Sequence, residues 1–343
     1  MTQDTLWTGS QGGYKTYRIP ALAVAKNGTV LAFCEGRRAS SSDNGQIDVL
    51  LRRSIDNGAT WSDQQVVWSD GSNTCGNPAP VVDQRTGTIW LLLTWNRGDD
   101  TEKQIIAQTS KDTRRVFVTS STNHGATWNT PREITVDVKR PEWTWFATGP
   151  GAGIQTGSGR LIVPCDHIEA GTKRYYSHVI YSDDHGATWK LGGTTPKDQV
   201  NECQVVERRD KSLLLNMRSY DPAQKARQIA TSKDGGLTWD DQRIEPALTD
   251  PICHGSIRRA DKKTILFSNA ASATGRKNVT VQASADDGKT WNRKLTLHAG
   301  PSAYSDLAVL KKNMLACLYE RGETGPYETI TLARFSLKEL AAY

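Results

Sequence analysis

Five arginines, three carboxylates and one tyrosine, spread from residue 18 to residue 320, are the groups in this sequence that could do chemistry together. Arg18, Arg37, Arg38 and Asp43 lie near the N-terminus, Glu202 and Arg218 in the middle, and Arg276, Tyr304 and Glu320 towards the C-terminus. Each alone has an ordinary explanation: an arginine at a strand end is a solvated charge, and Tyr304 is a half-buried ring. As a converging set they do not, because guanidiniums crowded against carboxylates and a phenol are costly unless the cluster holds an anion. The chemistry in prospect is that of an anion-binding pocket, and it depends on a fold that gathers residues hundreds of positions apart.

The elements that would position them are announced by an octet that occurs five times. Ser54–Trp61 reads SIDNGATW, Ser121–Trp128 STNHGATW, Ser182–Trp189 SDDHGATW, Ser232–Trp239 SKDGGLTW and Ser284–Trp291 SADDGKTW. Asp-x-Gly is turn chemistry, the carboxylate bonding back to following amides and the glycine taking positive φ. Five copies define a repeat. Each octet follows a short alternating stretch such as Ile47–Leu51 and reads as a hairpin turn closing on a buried Trp. The rival reading of Asp286-Asp287-Gly288 as a calcium loop lacks the other carboxylates of a twelve-residue loop.

Between octets one plan recurs: strand, tight turn, strand, long loop, strand, octet, strand. In the first instance Arg18–Ala25, Val30–Glu35 and Ile47–Arg53 are the strands, with Lys26–Thr29 as the turn. The third instance is read as Gly153–Gln155, Leu161–Cys165 and Ser177–Tyr181, and a sixth, without an octet, as Asp306–Leu310, Met314–Tyr319 and Thr329–Phe335. Six units in 343 residues are about 57 residues each, near the ~40–50 of a four-stranded propeller blade with some longer loops. The expected fold is all-β, a six-bladed β-propeller of four-stranded antiparallel blades formed by a single domain, residues 1–343. Because the sixth unit has no fourth strand, Asp4–Thr8 is expected to supply it. Strand parity puts the start of each first strand and the loop after each second strand on one face. The octets fall on the other face and are scaffold.

Composition narrows the class. Hydrophobic residues at 37% and charged residues at 23% fit a globular β protein able to bury a sizeable core. No run approaches the roughly 18 apolar residues of a membrane span. A formal charge of +6 favours an anionic ligand, but the basic residues are scattered, which argues against nucleic acid. The six Cys are widely spaced and read as buried free thiols, and the six His have no metal-ligand spacing. Met1–Ser10 has no signal-peptide pattern; the compartment is left open, with a secreted or periplasmic protein that has lost its leader favoured over a cytoplasmic one.

Tyr17-Arg18-Ile19-Pro20, the octets, Asn201-Glu202-Cys203-Gln204-Val205, Asn216-Met217-Arg218-Ser219 and Ala303-Tyr304-Ser305-Asp306-Leu307 together resemble the bacterial and animal exo-sialidases, a six-bladed propeller family whose octets are called Asp-boxes. The resemblance spans essentially the whole chain. It implies a retaining exo-α-sialidase needing no metal or cofactor and acting on sialylated glycans. Arg18, Arg218 and Arg276 would bind the sialic acid carboxylate, Tyr304 would be the nucleophile, Glu202 its base and Asp43 the acid/base. Glu320 would orient Arg18, and Arg38, with Arg37 its neighbour, would be an auxiliary arginine across the sugar ring. Asn77 and Trp95, on the same face in the second unit, are read as contacts for the sugar's other substituents. Asn123 departs from the pattern, replacing the Asp of the second octet.

A tyrosine nucleophile is a known property of sialidases among glycosidases, not a deduction from these residues. It is chemically sensible: the substrate's carboxylate sits on the anomeric carbon and would repel an anionic nucleophile. A phenol with an ordinary pKa near ~10 then needs a carboxylate to take its proton. Two rival functions remain at this level. A trans-sialidase would need exposed aromatics beside the mouth, a role open to Trp143 and Trp145, and a non-catalytic glycan-binding propeller would have lost Asp43, Glu202 or Tyr304. Oligomeric state and linkage preference are not encoded legibly.

Overall fold

The computed structural model describes residues 1–342, and they are organised as successive antiparallel meanders. Thr16–Val24, Val30–Arg37, Ile47–Ser54 and Gln65–Trp68 form the first. Thr74–Val82, Ile89–Asn96, Arg115–Ser121 and the short Arg132–Glu133 form the next, joined to the first by one parallel bridge from Ile47 to Thr74. Trp143–Thr148 and Ile154–Gln155 both pair with Leu161–Glu169, which is followed by Tyr175–Ser182 and Lys190–Thr194. Val200–Glu207, Leu213–Ser219, Ala226–Ser232 and Asp240–Thr249 come next. Gly255–Arg259, Ile265–Ala270 and Lys277–Ser284 continue into Arg293–Val309, whose C-terminal half opens a last meander with Met314–Arg321 and Thr329–Ser336. Thr2–Thr8 lies antiparallel on Thr329–Ser336, so the N-terminal segment does supply the strand missing there.

Local sequence explains the turns. In Ala25–Thr29, Asn27 Oδ1 accepts the Thr29 amide at 2.9 Å and Gly28 takes φ of 91°, which lets Ala25 and Thr29 pair. The apolar faces then stack meander on meander. Ala21 and Phe33 meet Leu91 and Leu93; Leu92 and Val116 meet Val163 and Ile180; Ile162 and Val179 meet Val205 and Leu215. Val206 and Leu214 meet Ile257 and Phe267, Leu266 and Val281 meet Leu315 and Phe335, and Leu22 and Val30 meet Leu318 and Ile330. The last of these contacts returns to the first meander.

Three local expectations are corrected. The third unit opens at Trp143, not Gly153, because Gly149–Gly153 interrupts its first strand and hides the earlier segment from a period-two reading. The long loop of the second unit carries a helix, Glu102–Ala107, started by a capping box between Thr101 and Gln104. Among the octet tryptophans, Trp189, Trp239 and Trp291 are buried, whereas Trp61 and Trp128 are only half-buried. The six Cys are buried free thiols, as expected. No helix among the described residues is long and apolar enough to cross a membrane.

The octets are turns held by their own side chains. Asp234 Oδ1 accepts Ser232 Oγ at 2.8 Å and the amides of Leu237 and Thr238 at 3.0 and 2.9 Å, and Oδ2 accepts Thr238 Oγ1 at 2.6 Å. Asn123 keeps this geometry, its Oδ1 accepting Ser121 Oγ and the Thr127 amide. Slight burial pushes the Asp234 carboxyl up, but the bonds from Thr238 and Ser232 outweigh it and hold it down at about 2. A depressed folded-state value means that the stabilisation is complete above the ordinary carboxylate range and is lost as pH falls towards 2. Asp234→Asn, which cannot titrate, should therefore lose a little stability at pH 7 and decline less than wild type between pH 4 and 2. Urea midpoints at pH 7, 4 and 3 measure this, and parallel curves would contradict it.

Candidate active site

The first strand of a meander carries one extra residue against its partner in five places. The register slips between Arg18 and Ala21, Gly76 and Ala79, Trp143 and Phe146, Val200 and Cys203, and Ser302 and Ser305. Such bulges re-aim side chains at the rims of sheets. Those on this rim hold Ile19 and Asn77, both at positive φ, together with Trp145, Glu202 and Tyr304. A repeated irregularity thus builds the site on an otherwise regular scaffold.

Tyr304 is the centre of it. Its hydroxyl donates to Glu202 Oε1 at 2.5 Å and accepts from Arg218 Nη1 at 3.1 Å, while Arg218 Nη1 also reaches Glu202 Oε2 at 2.7 Å. The Arg18 and Arg276 guanidiniums lie 5.0 and 5.5 Å from the Tyr304 ring centroid. Glu320, fully buried, joins two meanders: Oε1 accepts Arg18 Nε at 2.8 Å and the Ile19 amide at 2.9 Å, and Oε2 accepts the Tyr304 amide at 3.1 Å. Arg18, Arg218, Arg276, Tyr304, Glu202 and Glu320 are therefore brought together.

The electrostatics divide the pair. Burial, and then the Glu202 charge, push the Tyr304 phenol well above its ordinary value although Arg218 and Arg276 oppose them. Burial pushes Glu202 up as well, but Arg218 and the hydrogen bond from Tyr304 outweigh it and hold the carboxyl below its usual range. At neutral pH the resting state is a protonated phenol donating to an ionised carboxylate.

Asp43 stands apart on the loop after Val30–Arg37, with 63% of its side chain exposed, 2.7 Å from Arg37 Nη1. Partial desolvation raises its carboxyl, but Arg37, Arg18 and Arg114 bring it below the ordinary value. Arg37 is buried and is also gripped by Glu35, whose other oxygen accepts the Asn77 amide at 2.8 Å. Asn77 Oδ1 receives Arg114 and Thr94.

Two expected site residues are not in this cluster. Arg38 points away from Asp43: it packs over the Tyr14 ring at 4.2 Å and pairs with Asp48 at 3.1 Å, because neighbouring residues leave a strand on opposite faces. Arg37 takes the inner position instead. Trp95 likewise faces away from Thr94 and Asn96, which hold Arg114; its indole donates to Asp70 at 2.7 Å. Trp143 is no exposed platform either, being buried and stacked on His167 at 3.5 Å. Trp145 remains half-buried at the site, 3.9 Å from the Arg114 guanidinium.

Sequence reasoning missed Glu35, Arg114, Glu102, Asp166 and Tyr327. Glu35 was discoverable, since Glu35 and Arg37 share a strand face. Glu102, brought in on the unforeseen helix, has its carboxyl raised by burial and by the charges of Asp43 and Glu202 against the opposing Arg114. Asp166, fully buried and bonded by Asn201 at 2.8 Å, is raised well above the carboxylate range by burial first and Glu202 second. A separate cavity of about 340 Å³, lined by Val24, Val82, Ala152 and Arg258, opens at the far ends of the first strands and contains none of these groups.

The meanders thus bring three arginines, a phenol and its carboxylate partner together at one rim of an all-β fold. Residues 28–317 match the family model described as a BNR repeat-like domain. A sialidase of Micromonospora viridifaciens is 35% identical over 97% of this chain, which spans 54% of that relative's length. Among solved structures, a Hadza microbial sialidase superposes with a TM-score of 0.90 at 30% identity, covering 99% of this chain and 69% of that one. The intramolecular trans-sialidase from Ruminococcus gnavus shares the fold at a TM-score of 0.81 and 19% identity, covering 99% of this chain and 98% of its own. This chain belongs to the sialidase family.

Proposed function

We propose that the chain is the catalytic unit of a retaining exo-α-sialidase that removes terminal sialic acid from sialylated glycans through a tyrosyl-enzyme intermediate. The observation that carries this reading is the 2.5 Å hydrogen bond from Tyr304 to Glu202 inside a ring of three arginines. Arg18, Arg218 and Arg276 would pair with the substrate's carboxylate, fixing the anomeric carbon over the phenol. As Tyr304 attacks, its proton passes to Glu202, and positive charge growing on the sugar stabilises the phenolate oxygen that forms. Asp43, at the exposed lip, would give its proton to the leaving oxygen and later take one from water. Its depressed value in the free protein means that the bound substrate's negative charge must raise it for the acid role.

The same reading takes the meanders as six blades of a closed propeller in one domain. Its support is the core contact between the last and first meanders and the pairing of Thr2–Thr8 with Thr329–Ser336.

The test is hydrolysis of an α-sialoside followed by proton NMR. First-formed α-sialic acid is expected, drifting to the β anomer. β-Sialic acid as first product would exclude the double displacement, and transfer to added lactose in preference to water would favour a trans-sialidase.

A further inference from the structure

The three arginines around Tyr304 are not equivalent in charge. Arg18 is neutralised by Glu320 at 2.8 Å and Arg218 by Glu202 at 2.7 Å. Arg276 has no carboxylate partner among the described residues; its Nη1 donates instead to the phenol of Tyr327 at 2.5 Å. The Tyr327 ring also lies 4.1 Å from the Arg18 guanidinium and packs on the small cluster of Ile19, Cys253, Ala303 and Tyr304. One neutral side chain therefore contacts two of the three cations.

Tyr327 is itself held firmly. Its loop, between Met314–Arg321 and Thr329–Ser336, is closed on Glu328, whose carboxylate accepts the amides of Glu323, Thr324 and Gly325 and the Thr324 hydroxyl. From the other side, the Arg276 carbonyl accepts the Ser302 amide at 3.0 Å, two residues before Tyr304. The Arg276 end of the bond is thus tied to the strand that carries Tyr304, and the Tyr327 end to a loop closed on its own backbone.

We propose that Tyr327 is a positioning residue, a neutral tether that orients Arg276 without cancelling its charge, so that the substrate's carboxylate supplies the missing counter-ion. This rests on the sialidase reading. A carboxylate at position 327 would orient Arg276 equally well, but it would close the site with an internal ion pair.

The experiment compares wild type, Tyr327→Phe and Tyr327→Glu. Calorimetry measures binding of 2,3-didehydro-sialic acid and of its C1 carboxamide, with steady-state kinetics on a sialoside and melting temperatures alongside. Tyr327→Phe keeps the ring and loses one hydrogen bond, so KM and the carboxylate Kd should rise about three- to tenfold with kcat within about twofold. Tyr327→Glu should weaken the carboxylate probe by about a hundredfold or more while leaving the carboxamide Kd nearly unchanged, so that discrimination between the two collapses. If Tyr327→Glu keeps wild-type preference for the carboxylate, or if both variants weaken the two probes equally, the tether is overturned and Tyr327 is packing alone. If wild type binds neither probe, the sialidase reading falls and the tether with it.

Discussion

Tyr304→Phe is expected to lower turnover of a sialoside by ~10⁴-fold or more, the scale on which removing a nucleophile acts, while the variant still binds 2,3-didehydro-sialic acid. The two halves of this expectation come from different contacts. The hydroxyl makes the hydrogen bonds to Glu202 and Arg218, whereas the ring provides the surface against which Arg18, Arg276 and His254 rest. Phenylalanine keeps that surface and the Tyr304 amide's bond to Glu320. Glu202→Gln should also be slow, since an amide cannot take the phenolic proton. If the two act as one couple, the double variant should cost little beyond the worse single one. Wild-type turnover in Tyr304→Phe, or fully additive losses in the double variant, would show that the pair is not catalytic.

How far the sequence announced this site depends on the kind of signal each residue left. Arg18, Glu202, Arg218 and Glu320 sit near strand ends and Tyr304 just ahead of the strand expected from Asp306, so parity places them on one rim, and Arg276 lies in a loop that the same parity assigns there. The octets were legible because a turn closed by its own Asp and Gly needs no distant partner. Parity failed where the backbone departs from period two or where a strand runs out. Arg37 and Arg38 straddle the end of Val30–Arg37, and choosing between them requires knowing the last paired residue, which turned out to be Arg37 opposite Ile47. Trp95, expected on the functional face of the second unit, points away from it, because Thr94 and Asn96 own the inner face. Tyr327 and Glu102 belong to a loop and a short helix with no periodicity to read, and the five register slips leave no trace in composition. The missing signals are those that arise only when distant segments meet.

Asp306 shows the same limit from the side of stability, and its replacement is the second large effect expected. The sequence predicts only the start of a strand at this residue, yet its fully buried carboxylate gathers the first strands of separate meanders. Oδ2 accepts the amides of Leu22 at 2.7 Å and Ala152 at 3.1 Å, and Oδ1 accepts Gln204 Nε2 at 2.9 Å and Ser256 Oγ at 2.8 Å. Removing it strands the buried amides of Leu22 and Ala152 where water has little access, while Ser256 Oγ keeps Gln204 Oε1 at 2.8 Å and Gln204 Nε2 keeps the Pro150 carbonyl at 3.2 Å; each unsatisfied amide is costly in such surroundings. Partial relaxation and entry of water reduce the sum, so Asp306→Ala should lose about 3–5 kcal/mol, read as a fall in urea midpoint with an unchanged slope. Asp306→Asn is the sharper comparison, because it preserves volume but turns an NH₂ group towards donors on one side; it should recover part of the loss and no more. Because Tyr304 lies two residues away on the same strand, beside the register slip between Ser302 and Ser305, activity should fall in Asp306→Asn at temperatures where the protein is still folded. A midpoint within about 1 kcal/mol of wild type in Asp306→Ala would mean that the meanders are held by their apolar faces alone and that the buried carboxylate adds nothing to closure.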